Sequence, residues 1–269
     1  MNIDTSTNDN TDDKSNSGND EENNKKEKVK VKFYETWTFI IFVCVIVPFA
    51  FRSLFYAPFH IPSSSMKSTL LIGDYLFVDK SAYGYSRYSF PFGIDFFDGR
   101  ISEKIPERGD VIVFRPTTAT YMDFIKRLVG LPGDRIQVKN GELYINDTKV
   151  ERVKIDDFVE VGEDGQKERP ITRYKETLPN GVSYNVLDDN VNGDYDNTKV
   201  FVVPDNNYFF MGDNRDNSAD SRTKTVGFVP AENLVGRAEK IIVSTNGSIW
   251  KFWTWGSSIR TERAFNSIK

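Results

Sequence analysis

The sequence contains one cysteine, Cys44, and one histidine, His60. A lone cysteine excludes an intramolecular disulfide and a thiolate metal cluster. A lone imidazole leaves too few ligands for an ordinary zinc site and makes a histidine-based serine triad a poor expectation. No metal or cofactor is therefore expected. The chain also lacks a positive field: its formal net charge is −4, and beyond the N-terminal segment lysines and arginines alternate with acids, so nucleic-acid binding is not expected. After residue 60 there is no second long apolar run.

What is present is a chain of 269 residues, 39% apolar and 14% aromatic, with 21 Phe and 12 Tyr. That is enough for one sizeable domain rich in β-forming side chains. Residues 1–32 read as a disordered tail, first Asn, Asp and Ser, then Lys25, Lys26, Lys28, Lys30 and Lys32. Thr36 to Phe51 carries no charge, and with flanking aromatics residues 33–56 are expected to form one transmembrane helix with its interface. A buried core helix or a cleavable leader would also be apolar. A leader, however, starts near Met1 and ends in small residues, whereas this run starts after more than thirty and ends in bulky ones. The lysine excess before the run, against Arg52 and Lys67 after it, orients the tail to the cytoplasm and residues 57–269 to the outer side.

Beyond Phe59, short β-like runs are punctuated by Gly, Pro, Asn and Asp: YLFVDK, VIVFRP, DFIKRLVG, RIQVKNGELYIND, VFVVPDNNYFFMG and AEKIIVS. Asn140-Gly141 predicts a tight hairpin. Residues 150–199 turn polar and acidic and read as a loop-rich inserted lobe with one or two short hairpins. The expected fold is mainly β: a single N-terminal transmembrane helix, then a mostly antiparallel β catalytic domain.

Three segments carry chemistry. Ile61-Pro62-Ser63-Ser64-Ser65-Met66 follows the apolar run and leads into a strand-like stretch from Leu70 to Val78. Taken alone, a serine cluster is a polar turn. In the second segment, strand alternation puts Lys126 on one face with Phe124 and Leu128, and Ile125, Arg127 and Val129 on the other. A lysine held between apolar neighbours loses water, its pKa falls, and it can serve as a base, whereas Arg127 stays charged. An edge-strand lysine reaching solvent is the plainer alternative. The third segment, Gly212 to Arg222, is a rigid polar turn; a calcium loop starting at Asp216 would need Gly and Glu where Ser221 and Gly227 stand.

The strings IPSSSMKSTLLIGDYLFVDK, FIKRLVGLPGDRI and FMGDNRDNSADSR, in this order behind an apolar segment, resemble the boxes of bacterial type I signal peptidases. The resemblance implies a single-pass enzyme of the bacterial cytoplasmic membrane, in contact with lipid and near the export translocon. Its partners would be signal peptides of exported preproteins, cleaved by a serine-lysine dyad. It implies Ser65 as nucleophile and Lys126 as base, with Ser63 and the Ser65 N–H as oxyanion hole. Ser218 would orient the base, and Asp213, Asp220 and Arg222 would support the site. Ile61, Pro62, Met66, Leu70, Phe124 and Ile125 would bind substrate. Two positions depart from the pattern: Ser64 stands where Gly is usual, and Ser68 where Pro is usual. A cytosolic self-cleaving peptidase of the repressor type would leave the apolar run unexplained, and an inert scaffold would leave the dyad unexplained.

Overall fold

The computed structural model describes residues 37–90, 99–160, 169–190, 192–246 and 258–268. The tail, the start of the apolar run, and the Glu163-Asp164-Gly165 part of the polar lobe lie outside them. The run enters as α1 (Trp37–Ile41), a π-helical turn (Phe42–Ile46) and α2 (Val47–Leu54). Pro48 offers no N–H to the carbonyl four residues before it, and the turn ahead of it is the π-type one. Among the described residues no helix is long and apolar enough to cross a membrane, though side chains such as Ile41, Phe42, Val45 and Phe49 are exposed along these turns.

Among the described residues the named strands pair antiparallel throughout, as the alternating pattern implied. The strands are β1 (Tyr56–His60), β2 (Asp74–Asp79), β3 (Val111–Phe114), β4 (Phe124–Gly130), β5 (Arg135–Lys139), β6 (Glu142–Ile145) and β7 (Thr148–Lys149). There follow β8 (Glu151–Lys154), β9 (Arg173–Thr177), β10 (Ser183–Leu187), β11 (Phe201–Val202), β12 (Asn207–Met211), β13 (Val229–Pro230) and β14 (Leu234–Ser244). A seven-stranded sheet has the order β1-β2-β14-β3-β4-β12-β13; β11-β5-β6-β7 and β10-β9-β8 form two smaller sheets.

The Asn140-Gly141 hairpin forms between β5 and β6: Lys139 pairs with Glu142 and both turn residues have positive φ, 51° and 76°, the backbone that Asn-Gly favours. Two expectations need correction. Leu70–Gly73 is not strand: Leu70 N–H bonds back to Met66 O at 2.8 Å, the Asp74 carboxylate accepts from Leu71 N–H at 2.9 Å, and Gly73 has φ 87°. The run from Val200 to Gly212 is two strands, because Pro204 lacks a ladder donor and Asn206 turns the chain at φ 58°.

The described part of the inserted segment carries three strands, β8, β9 and β10. They form a three-stranded sheet whose β9–β10 turn falls at Pro179-Asn180-Gly181. Leu178, Tyr184 and Val186 pack with Val129, Ile136, Phe209 and Met211 in one shared core. Strand β4 divides the interior: Leu128, with Phe124 at the margin, packs against Ile112, Phe114 and Phe210, while Ile125 faces Ile61, Met66, Leu70 and Val113. Alternation along β4 thus holds as expected.

Candidate active site

The serine turn connects β1 to β2, and Lys126 sits in the middle of β4, paired with Ile112 of β3. The two residues are 61 positions apart in sequence, yet Lys126 Nζ lies 2.7 Å from Ser65 Oγ. The amine also donates to Ile125 O at 2.8 Å and stands 5.6 Å from the centre of the Phe124 ring. Lys126 is 3% exposed and Ser65 7% exposed. Burial, opposed by the more distant Asp220 and Asp213, lowers the Lys126 pKa from 10.5 to about 8. The amine is therefore buried among apolar neighbours, as its place on the strand implied.

Ser63 is exposed, with its hydroxyl 3.3 Å from that of Ser65. Pro62, Phe124, Ile125 and Ile61 line an open cleft of about 510 Å³ that also contains Ser65 and Lys126. Met66 and Leu70 do not line it: at 1% and 0% exposure they lie in the core with Ile61 and Val113. They support the wall and are withheld from the cleft surface, because the turn after Ser65 folds them inward. Met122, Asn217 and Ala219 border the cleft and were not singled out in the sequence. Mixed loop residues of this kind carry no periodicity that would mark them.

Beneath the cleft lies a layer of buried charge. Arg127, fully buried, donates from Nε to Asp213 Oδ1 at 2.9 Å and from Nη2 to Oδ2 at 2.7 Å, and lies 4.1 Å above the Tyr184 ring. Asp213 also accepts from Thr69 Oγ1 at 2.5 Å. Asp220 accepts from Arg222 Nε at 2.9 Å, Arg222 Nη2 at 2.8 Å and Gly212 N–H at 3.0 Å. Burial would push the Asp220 carboxyl up, but the Arg222 guanidinium and these bonds hold it below the usual range. Arg215 grips Glu176 of β9, one bond being Nη1 to Oε1 at 2.7 Å. Glu176 was invisible in sequence, since nothing in RYKET separates a buried acid from a solvated one.

Ser218 is buried, but its hydroxyl has no hydrogen-bond partner, so the expected contact with the lysine is not made. The two end acids of the rejected calcium run turn to different partners: Asp216 accepts from Asp189 N–H at 2.8 Å and Asn190 N–H at 3.0 Å, and Asp220 faces Arg222. Ser68 has φ 74° and donates to Asn185 O at 3.0 Å. Proline is confined to φ near about −65° and could not adopt that backbone.

Gly212 has no room for a side chain: a Cβ there would fall 2.2 Å from Ser218 Oγ and 2.6 Å from Ser65 O. Gly212→Ala must displace the turn that carries Ser65. Overpacking of this kind typically costs about 1–3 kcal/mol, so this variant should unfold at lower denaturant concentration than the parent chain when followed by circular dichroism.

The chain as a whole has recognisable relatives. The profile of the family described as "Signal peptidase, peptidase S26" matches residues 34–243. Signal peptidase I of Rickettsia typhi is 41% identical over 263 residues, covering 91% of this chain and 96% of the relative. Signal peptidase I of Rickettsia canadensis is 38% identical, covering 100% of this chain and 98% of the relative. A crystal structure of a signal peptidase I from Enterococcus faecalis matches with 27% identity and a TM-score of 0.29, covering 50% of this chain and 97% of that one.

Proposed function

Because the chain belongs to the signal peptidase, peptidase S26 family, we propose that it removes N-terminal signal peptides from exported preproteins as a serine endopeptidase, with Ser65 as nucleophile and Lys126 as general base. The observation that carries the residue assignment is the 2.7 Å contact between a buried lysine amine and the Ser65 hydroxyl. Neutral Lys126 takes the proton as Ser65 Oγ attacks the scissile carbonyl. Ser63 Oγ and the Ser65 N–H hold the oxyanion, and loss of one such donor typically costs about 3 kcal/mol. The ammonium then protonates the leaving amine, and the regenerated amine activates the water that frees the acyl-enzyme.

Substrate lies extended in the cleft by β-augmentation, its side chains entering pockets walled by Ile61, Pro62, Phe124 and Ile125. Asp213, Asp220 and Arg222 stiffen the ground beneath. Ser218 orients the lysine after a rotamer change. Residues 1–32 form the cytoplasmic tail, 33–56 cross the bacterial cytoplasmic membrane once, and 57–269 lie outside, against lipid and near the translocon. The uncharged run, its exposed apolar turns and the lysine asymmetry support this topology.

Protein purified in detergent should cut a preprotein after a small residue, and kcat/KM should rise with pH through a limb near 8. The sign follows from the base: only the neutral amine accepts a proton, so activity is lost as pH falls through the lowered pKa of about 8. A limb near the free-lysine value of about 10.4, or no cleavage, would remove the proposal. Membrane fractionation with and without residues 1–56 tests the span.

A further inference from the structure

The Ser64–Ser65 peptide is gripped from one side. Its carbonyl, Ser64 O, accepts from Asn214 Nδ2 at 3.1 Å and from Lys67 N–H at 3.0 Å, and the next carbonyl, Ser65 O, accepts from Asn214 N–H at 3.1 Å. The Ser64 hydroxyl accepts from Asn217 Nδ2 at 2.7 Å. A planar trans peptide points its N–H opposite to its C=O, so whatever holds Ser64 O also aims the Ser65 N–H. That N–H has no acceptor among the described residues, whereas the carbonyl behind it has two donors.

Asn214 is itself held: Leu187 N–H donates to Asp213 O at 2.8 Å and Arg215 N–H to Leu187 O at 2.8 Å, which tie this turn to the end of β10. Glycine at position 64 would offer Asn217 no hydroxyl. The departure from the usual pattern at Ser64 therefore supplies a second anchor to the same peptide. Resting on the peptidase reading above, we infer that Asn214 and Asn217 are positioning residues that aim the Ser65 N–H as an oxyanion donor, Asn217 acting through the Ser64 hydroxyl. Neither needs to touch the substrate. Their effect belongs to the tetrahedral state, where charge develops on the oxygen that the N–H meets.

The test uses the full chain in detergent with two probes of one peptide. A peptide boronate accepts a lone pair from Ser65 Oγ to form a tetrahedral boron adduct as the Ser65 proton passes to Lys126; the matching carboxamide binds without bond formation. Asn217→Ala and Ser64→Ala should each lower kcat and boronate affinity by about fivefold, the worth of one ordinary hydrogen bond, and the double variant should be no worse than either. Asn214→Ala, which frees the carbonyl itself, should lower both by an order of magnitude or more. Carboxamide affinity and KM should change less than boronate affinity and kcat, since Ser64 and Asn217 only border the cleft, and the pH limb near 8 should hold in all.

Asn217 is exposed and Ser64 half-buried, so these two variants should fold even where Asn214→Ala is destabilised. Equal losses of boronate and carboxamide affinity, or additive effects of Ser64→Ala and Asn217→Ala, would overturn the inference while leaving the peptidase intact. A wild-type chain that neither cleaves a preprotein nor binds the boronate would instead overturn the peptidase reading, and the clamp with it.

Discussion

Ser65→Ala and Lys126→Met should each reduce preprotein cleavage by on the order of 10⁵-fold, since loss of either member of a nucleophile-base pair forfeits nearly all that the pair supplies. The second substitution should also make the protein more stable at neutral pH. Below pH 8 Lys126 is protonated in both folded and unfolded chains, and in the folded chain the charge is buried beside Phe124 with only Ser65 Oγ and Ile125 O to receive its protons. A drop from 10.5 to about 8 corresponds to a cost on the order of 3 kcal/mol.

Between pH 8 and 10.5 the unfolded chain keeps the proton and the folded chain releases it, so wild-type stability rises with pH across that window. A thioether in place of the amine has no proton to release. Denaturant unfolding at pH 7 and pH 10 should show a stability increase in Lys126→Met at the lower pH and no such rise between the two. A variant that unfolds more easily than wild type at pH 7 would mean that the lysine's hydrogen bonds outweigh its desolvation.

The other large effect is on folding. Asp213→Ala leaves the Arg127 guanidinium fully buried and without the carboxylate that balances its charge. Breaking a buried ion pair from one side typically costs about 3–5 kcal/mol, which for a domain of this size lowers Tm by roughly 10 °C. Replacing both partners, Arg127→Met with Asp213→Leu, should recover much of the loss, because a packed apolar pair carries no unpaired charge. Calorimetry of the single and double variants decides it. A single variant within about 2 °C of wild type would show that water reaches Arg127 and that the pair contributes little.

Legibility differed from one part of the molecule to another. The Asn140-Gly141 hairpin was readable because only a few residues tolerate two successive positive φ values. Strand β4 was readable because its seven residues are hydrophobic on both faces, with one lysine and one arginine as the exceptions. The strand expected from Leu70 was misread because Leu70 and Leu71 are buried in a turn, and apolar runs of that length do not distinguish turn from strand. Met66 and Leu70 were assigned to the cleft on resemblance, and packing drew them below it. The Arg215–Glu176 pair was missed because its partners are 39 residues apart, and an acid in a strand shows its burial only in three dimensions.

Sequence alone narrowed the chemistry to expect: one histidine and one cysteine leave no ordinary zinc site and no thiolate cluster, and three ordered boxes resemble a family that uses a serine and a lysine. It also determined the antiparallel β character, through alternation and turn residues that act over a few positions. Only the tertiary structure decided that Ser65 Oγ stands 2.7 Å from the amine, which side chains line the cleft, and that an inserted sheet braces the turn behind Ser65. The reason is physical: propensity and pattern act between neighbours along the chain, whereas desolvation and hydrogen-bond geometry depend on groups that only folding brings within about 3 Å.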